Sequence, residues 1–272
     1  MSDDFGNTIN TAIWSEIAQP DNPFVADKCY CHGYDVFDDV LGNAGFIEYL
    51  YLLFMGERPN PNQVAALNLL AIALANPGPR DPSVHGAMAA YVSGTPAANA
   101  LMAALAIGAG SHQGAREVML AMTRCDACGT DLPAWQQALQ NPVTASRLGI
   151  WPENNNPAGF DPYGSLIAAP ALRTLEKLLP LLDNSLLSWL AQQRLQLEAL
   201  AGRPFTLLGI AAAAFSSLGF KPAQGEMLTL LLRLPGAAVH ALEQKERGFR
   251  QFPFFSIDLE HDPKSSPIPE AT

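Results

Sequence analysis

A succession of apolar segments with helical spacing constrains the fold of this chain more than any other feature of its sequence. Apolar residues recur three or four positions apart, and glycine, proline or asparagine separates one segment from the next. The sequence lacks a sustained two-residue alternation between turns, the pattern typical of strands. It therefore predicts an all-α fold with few strands.

Proline and glycine mark several of the expected helix ends. Asn60 followed by Pro61 reads as an N-cap and a first helical residue, and Gly56 closes the segment before them. Residues 1–30 are expected to form an irregular or short helical arm, with an amphipathic turn or two over residues 11–17. Helices are predicted over residues 45–54, 61–75, 83–92, 97–107, 134–140, 171–182, 185–200, 205–218, 225–234 and 235–247.

Composition argues against several classes of protein. Of 272 residues, 49% are hydrophobic and 15% are charged, so a large core and a subunit interface are expected. The net charge of -10 argues against nucleic acid as a partner, because phosphate binding needs a basic face. The acidic residues 1–4 precede no apolar signal segment, and no apolar run is long enough to cross a bilayer. We expect a cytoplasmic protein that binds neither nucleic acid nor a membrane.

Four cysteines form two close pairs, Cys29 with Cys31 and Cys125 with Cys128. Cys-x-Cys-His and Cys-x-x-Cys would make a tetrahedral zinc site if the fold joined them. Nothing in the sequence brings the pairs together. Reduced structural thiols without a metal are therefore the expected state.

The stretch from Ile107 to Leu120 places a histidine between glycines, where two apolar segments meet. Gly108 and Gly110 would end the first helix, and Ser111 would cap the second. His112 is then expected in the first turn of a buried helix, where the positive helix end disfavours imidazolium and keeps the ring neutral. A neutral hydrogen-bond donor suits a developing enolate oxygen. The alternative is a core histidine with a structural hydrogen bond.

Several motifs follow one another in a recognisable order. They are Gly33-Tyr34-Asp35-Val36, Gly45-Phe46-Ile47-Glu48 leading to residues 52–59, His85-Gly86, residues 108–115, and the closing segment 232–243 with Arg233-Leu234-Pro235-Gly236. Together they resemble the citrate synthase superfamily, and most of all its short, citryl-CoA-lyase-like members. The resemblance covers roughly residues 30–255 and is weak in the middle.

The resemblance implies an all-α homodimer whose subunits have a large and a small domain, with the active site in the cleft. Residues 1–119, including the N-terminal arm, and 216–258 would form the large domain. Residues 120–215 would form the small domain, and 259–272 a disordered tail. The family forms or breaks the bond between the methyl carbon of acetyl-CoA and the carbonyl carbon of a 2-oxo acid. It uses no metal and no redox cofactor, so the implied ligands are an acyl-CoA and a small carboxylate.

The resemblance also assigns roles to individual positions. His112 matches the histidine that stabilises the enol, and His85 matches an earlier histidine of the oxo acid pocket. Arg233 matches the carboxylate-binding arginine of the closing helix, with a helix-capping or interface charge as the alternative. Arg250 matches the last arginine, which reaches across the dimer, although its surroundings differ.

Two departures from the family pattern concern the catalytic groups. The loop that should carry a second catalytic histidine is 151–164, which contains no histidine and no arginine. The place expected to hold the catalytic carboxylate reads Phe205-Thr206-Leu207-Leu208-Gly209. Asp161 or Glu153 would have to substitute. Loss of either acid–base partner ordinarily costs roughly 10²–10⁴ in rate.

Three functions remain open from the sequence. The first is a lyase or synthase acting on a CoA thioester through His112, His85 and Asp161. The second is a non-catalytic descendant that binds a ligand or acts as the partner of an active paralogue. The third is a helical protein that binds a metal through its cysteine pairs.

Overall fold

Ten α-helices account for most of the computed structural model, which describes residues 9–140, 156–255 and 257. The predicted all-α class is confirmed. The helices are α1 (Phe46–Met55), α2 (Pro61–Ala75), α3 (Pro82–Val92), α4 (Ala97–Gly108), α5 (Ala115–Cys128), α6 (Leu132–Gln140), α7 (Ala169–Leu178), α8 (Leu186–Ala201), α9 (Leu207–Ser217) and α10 (Pro222–Arg247).

The predicted helix ends around residues 56–61 are confirmed. Gly56 ends α1 in the left-handed conformation, with a φ of 79°. Asn60 caps α2 by accepting a hydrogen bond from the Gln63 backbone N–H at 3.0 Å, and the Gln63 side chain accepts one from the Asn60 N–H at 2.8 Å. This reciprocal capping box satisfies two backbone donors that a helix start otherwise leaves unpaired.

The expected helical arm before residue 30 is wrong, because this segment forms strands. Strand β1 (Trp14–Gln19) pairs antiparallel with β2 (Asn22–Cys31), and β2 pairs with the short β3 (Tyr34–Asp35). The residues of β1 fit a helical turn or a strand equally well, so pairing with β2 decides the outcome. A single π-helical turn, Val36–Val40, follows β3 and is capped by Asp35.

The two helices predicted over residues 225–247 are one continuous helix. α10 has 26 residues and carries Pro235 in its interior, where a proline usually ends a helix. Packing explains the continuity, because α10 lies against α2, α3, α4 and α5. Tertiary contacts therefore outweigh the hydrogen bond that Pro235 cannot donate.

The core consists of one large and two smaller clusters of buried side chains. The large cluster joins residues of α1 and α2 to residues of α5 through α10, and a second joins α3 and α4 to α10. The predicted division at residues 119/120 and 215/216 stays a prediction. Buried residues on both sides of each boundary belong to the large cluster.

The predicted tail, 259–272, and residues 151–155 of the long loop, including Glu153, lie outside the described residues. Among the residues that the structure does describe, no helix combines the length and apolar character needed to cross a bilayer.

Candidate functional site

Arg233, in the middle of α10, is the centre of a buried polar cluster. Its side chain is 10% exposed and forms an ion pair with Asp81, whose side chain is 8% exposed. Its Nη1 donates a hydrogen bond to the Gln113 carbonyl oxygen at 2.8 Å. Arg233 thus joins α10 to the N-terminus of α3 and to the loop that carries His112.

Asp81 both pairs with Arg233 and caps helix α3. One carboxylate oxygen, Oδ2, accepts from Arg233, while the other, Oδ1, accepts from the Ser83 backbone N–H at 2.9 Å and from the Ser83 hydroxyl. The second set of bonds caps α3. Sequence analysis did not single out Asp81, although the run Asp81-Pro82 is a helix-start signal.

The position of His112 corrects the prediction for this histidine. The second helix, α5, begins at Ala115 with Gly114 as its N-cap, so Ser111 does not cap it and His112 lies in the preceding loop. The His112 side chain is exposed rather than buried. A Cβ at Gly114 would lie 2.2 Å from the Gly110 carbonyl oxygen, so the loop folds back tightly on itself and delays the helix start.

Glu117, in the first turn of α5, is a buried carboxyl group that sequence analysis missed. It accepts hydrogen bonds from the backbone N–H of Gln113 at 2.6 Å and of Gly159 at 3.0 Å. Burial has the largest effect on its pKa and raises it. The two backbone hydrogen bonds and Arg233 lower the pKa, and Asp161 raises it further. A carboxylate beside Val118 on the apolar face of a helix is the signal that could have revealed it.

The described part of the long loop packs against the start of α9. The Gly159 carbonyl accepts from the Thr206 N–H at 2.9 Å, and the Asp161 N–H donates to the Pro204 carbonyl at 2.8 Å. Asp161 is half-buried, and its carboxylate accepts from the Tyr163 N–H at 2.9 Å. The loop therefore brings Asp161 close enough to Glu117 to affect its pKa.

The other two predicted site residues are placed differently. The half-buried ring of His85, on α3, lies 5.2 Å from the Phe252 ring, measured between centroids. Arg250 is exposed on a 3₁₀ turn, Phe249–Gln251, that follows α10. The side-chain contacts described for these two residues do not reach Arg233, so the roles assigned to His85 and Arg250 stay predictions.

The cysteine pairs do not form a joint metal site within the described ranges. Cys31 belongs to a small cluster with Val40 and Leu52, whereas Cys125 and Cys128 belong to the large cluster. Burial raises the pKa of Cys125 to about 12. Across residues 9–140 and 156–255, no three histidine, cysteine or acidic side chains are grouped to hold a metal ion.

A small pocket opens beside Arg233, between α3, α4 and α10. Ser83 and Arg233 supply its polar side chains, and the rest of its wall is apolar. The pocket is lined by Ser83, Ala104, Leu105, Gly108, Leu230, Arg233 and Leu234.

Comparison with solved structures identifies the fold. The chain is similar to citryl-CoA lyase from Hydrogenobacter thermophilus, with a TM-score of 0.72 and 18% identity over 98% of this chain and 97% of that one. It is similar to ATP citrate lyase from Methanothrix soehngenii, in complex with citrate and coenzyme A, with a TM-score of 0.64 and 16% identity over 96% of this chain and 43% of that one. For citrate synthase from Pyrobaculum aerophilum the TM-score is 0.51, with 16% identity over 81% of this chain and 54% of that one.

These likenesses define the class by its fold, the helical fold that this chain shares with citryl-CoA lyase, ATP citrate lyase and citrate synthase. Within that fold, the chain matches the citryl-CoA lyase over nearly the full length of both proteins. The resemblance inferred from the sequence is therefore confirmed at the level of the fold. No protein-family model and no curated protein matches this sequence.

Proposed function

We propose that this protein makes or breaks a carbon–carbon bond between a CoA thioester and a 2-oxo acid, as a citryl-CoA-lyase-like enzyme. One observation carries the proposal. Arg233, the candidate carboxylate-binding residue, donates a hydrogen bond to the carbonyl of Gln113, the residue next to His112. This contact supports placing in one site the two positions that the family resemblance assigns to the substrate carboxylate and to the thioester enolate.

In the cleavage direction, the substrate would be a citryl-CoA-type thioester. A base removes the proton of the tertiary hydroxyl group, the adjacent carbon–carbon bond breaks, and its electron pair moves to the thioester as an enolate. The products are acetyl-CoA, after protonation of the enolate carbon, and oxaloacetate. Arg233 would bind a carboxylate, and His112 would donate a hydrogen bond to the enolate oxygen.

The remaining roles fall to carboxyl groups. Asp161 is the candidate proton acceptor, because it is half-buried and lies near Glu117. Glu117 would act as a positioning residue, since it holds the backbone of Gln113 and of Gly159. His112 is exposed here, so a bound thioester would have to cover the ring to strengthen its hydrogen bond.

The test is a pair of assays on purified protein. Cleavage of citryl-CoA is followed by release of oxaloacetate, and proton abstraction by deuterium wash-in at the acetyl-CoA methyl group. We expect both in the unaltered protein, and losses of about 10²-fold or more in His112→Ala. His240→Ala is the matched control, because His240 bonds Asn76 outside this site. If the unaltered protein shows neither cleavage nor wash-in, the proposal is refuted.

A second candidate is a non-catalytic protein that binds a ligand or partners an active paralogue. Two observations favour it. Arg233 already has a carboxylate partner in Asp81, and residues 205–209 offer no carboxylate base. Calorimetric titration with coenzyme A and with citrate, together with capture of an intact homologue, tests this alternative. Binding without any turnover would favour it over the enzyme.

A further inference from the structure

Asp81 occupies the place at Arg233 that a ligand carboxylate would take. Arginine binds carboxylates through the terminal nitrogens of its guanidinium group. In this structure one of these nitrogens binds Asp81 and the other binds the Gln113 carbonyl. Because both side chains of the ion pair are about nine-tenths buried, the pair is shielded from water.

The neighbouring pocket offers the same donors to an incoming ligand. Asp81 is held by Arg233 and Ser83, and these two residues provide the polar side chains of the pocket wall. The rest of the wall is apolar, with Leu105 and Leu230 among its side chains. The free volume of the pocket is about 10 Å³, enough for about one water molecule, so a ligand carboxylate would reach Arg233 only by displacing Asp81 from it.

We infer that Asp81 is an internal competitor that sets the affinity of Arg233 for carboxylate ligands. A ligand reaches Arg233 only in molecules whose Asp81 has released it, so the apparent affinity falls by the fraction in that state. Asp81 need not leave the helix end when this happens. Its second oxygen stays bound to the Ser83 N–H, and the positive end of α3 continues to favour its charge.

The test separates the charge of Asp81 from its capping role. Asn caps helices as well as Asp, so Asp81→Asn keeps an acceptor for Ser83 and removes the competing charge. We expect this variant to bind citrate at least about tenfold more tightly than the unaltered protein in a calorimetric titration. Adding Arg233→Gln should abolish the gain. If Asp81→Asn binds citrate no more tightly than the unaltered protein does, the inference is overturned.

Asp39→Asn is the matched control. Asp39 also pairs with an arginine, Arg58, at 2.9 Å, but this pair is at the surface with side chains 48% and 36% exposed. We expect no change in citrate affinity from this substitution. A gain equal to that of Asp81→Asn would show that net charge, rather than competition at Arg233, controls binding, and would also overturn the inference.

A measurement on the unaltered protein covers the case in which the variant does not fold. A crystal structure with saturating citrate should show a citrate carboxylate on Arg233 and Asp81 turned away, whereas an intact ion pair would overturn the inference. The inference rests on the proposed function for the choice of citrate as the probe and for Arg233 as the residue that binds it. Both measurements report binding, so absence of citryl-CoA cleavage would refute the function and leave this inference standing.

Discussion

Both carboxylate oxygens of Glu117 accept hydrogen bonds from backbone N–H groups, yet burial still raises the pKa of Glu117 above the ordinary value of 4.5. The folded state therefore binds a proton more tightly than the unfolded state does. The stability that this group contributes is fully present below pH 4.5 and is lost as the pH rises through the raised pKa.

Glu117→Gln removes this titration and leaves one of two backbone donors without an oxygen acceptor. We expect the variant to be less stable by about 1–3 kcal/mol at low pH, with the difference shrinking as the pH rises through the raised pKa. Urea unfolding over a series of pH values measures it. Glu246→Gln, at an exposed position, is the control. Profiles that stay parallel for Glu117→Gln and the unaltered protein would contradict the interpretation.

The four thiols should differ in reactivity. Cys29 is half-exposed, whereas Cys31, Cys125 and Cys128 are buried, and burial raises the pKa of each of these three. Because the thiolate is the reactive form, we expect one fast thiol in the native protein under mildly alkaline conditions. A chromogenic disulfide reagent counts it, and Cys29→Ser should remove it. Fast labelling that persists in Cys29→Ser would be inconsistent with this burial.

The family resemblance singled out Arg233, but nothing in the sequence pointed to its partner. Asp81 lies 152 positions away, and a contact of that separation leaves no local signal. For His112 the error was local. Ser111 is a good capping residue, but the tight fold of residues 110–114 moves the helix start to Ala115. A steric requirement of the backbone thus outweighed a capping preference.

At the level of elements, a glycine pair fixes how the loop meets α9. A Cβ at Gly209 would lie 2.2 Å from the Gly159 carbonyl oxygen, so the two backbones touch. We expect Gly209→Ala to lower the free energy of unfolding by about 1–3 kcal/mol or more. The added methyl group would clash with the main chain of Gly159, which cannot move aside as a flexible side chain can. Chemical denaturation measures the change.

Gly45→Ala is the control for this substitution, because a Cβ there would meet nothing within 4 Å. It should change stability by less than about 1 kcal/mol, the usual range for an N-cap glycine replaced by alanine. Equal effects of the two substitutions would indicate that crowding at Gly209 is not what matters.

Pro235 makes α10 weaker than its length suggests. The side chain is exposed, so it contributes little packing, and the residue cannot donate the hydrogen bond expected inside a helix. In a helix interior alanine is more favourable than proline by about 3 kcal/mol, partly because it restores this donor. Pro235→Ala also gives the unfolded chain more conformational entropy, which lowers the free energy of unfolding by about 1 kcal/mol. We expect a net gain of about 2 kcal/mol in thermal and urea unfolding. A loss of stability would show that the proline shapes α10 for packing.

The elements that local signals define were predicted well, and those that depend on distant partners were not. The cap at Asn60 and the stop at Gly56 need only neighbouring residues. Strands β1 and β2 need each other, and α10 needs the helices packed on it to continue through Pro235. Sequence patterns alone therefore favoured a helical arm and a helix break, both of which the structure corrects.

At the level of the whole molecule, one face of α10 is apolar and uncovered. Met227, Leu231, Val239 and Leu242 are exposed along it. Their spacings of four, eight and three residues place them along the same side of the helix. Exposed apolar stripes of this kind mark interfaces, so we expect this face to join two copies of the chain, in line with the homodimer predicted from the family resemblance.

Light scattering over a range of concentrations tests this expectation. The unaltered protein should have twice the mass of one chain, and Val239→Lys with Leu242→Lys should shift it towards monomer. Leu195→Lys, an exposed leucine on α8, is the matched control and should leave the mass unchanged. A monomeric unaltered protein would contradict the expectation.

The close approach of Gly159 and Gly209 also bears on how such a protein changes during evolution. Replacement of an exposed side chain such as that of His112 leaves the backbone free to adopt the same path. A side chain at Gly209 would collide with the main chain of residue 159, whatever the ligand. Selection for folding should therefore preserve glycine at both positions, whatever ligand the protein binds.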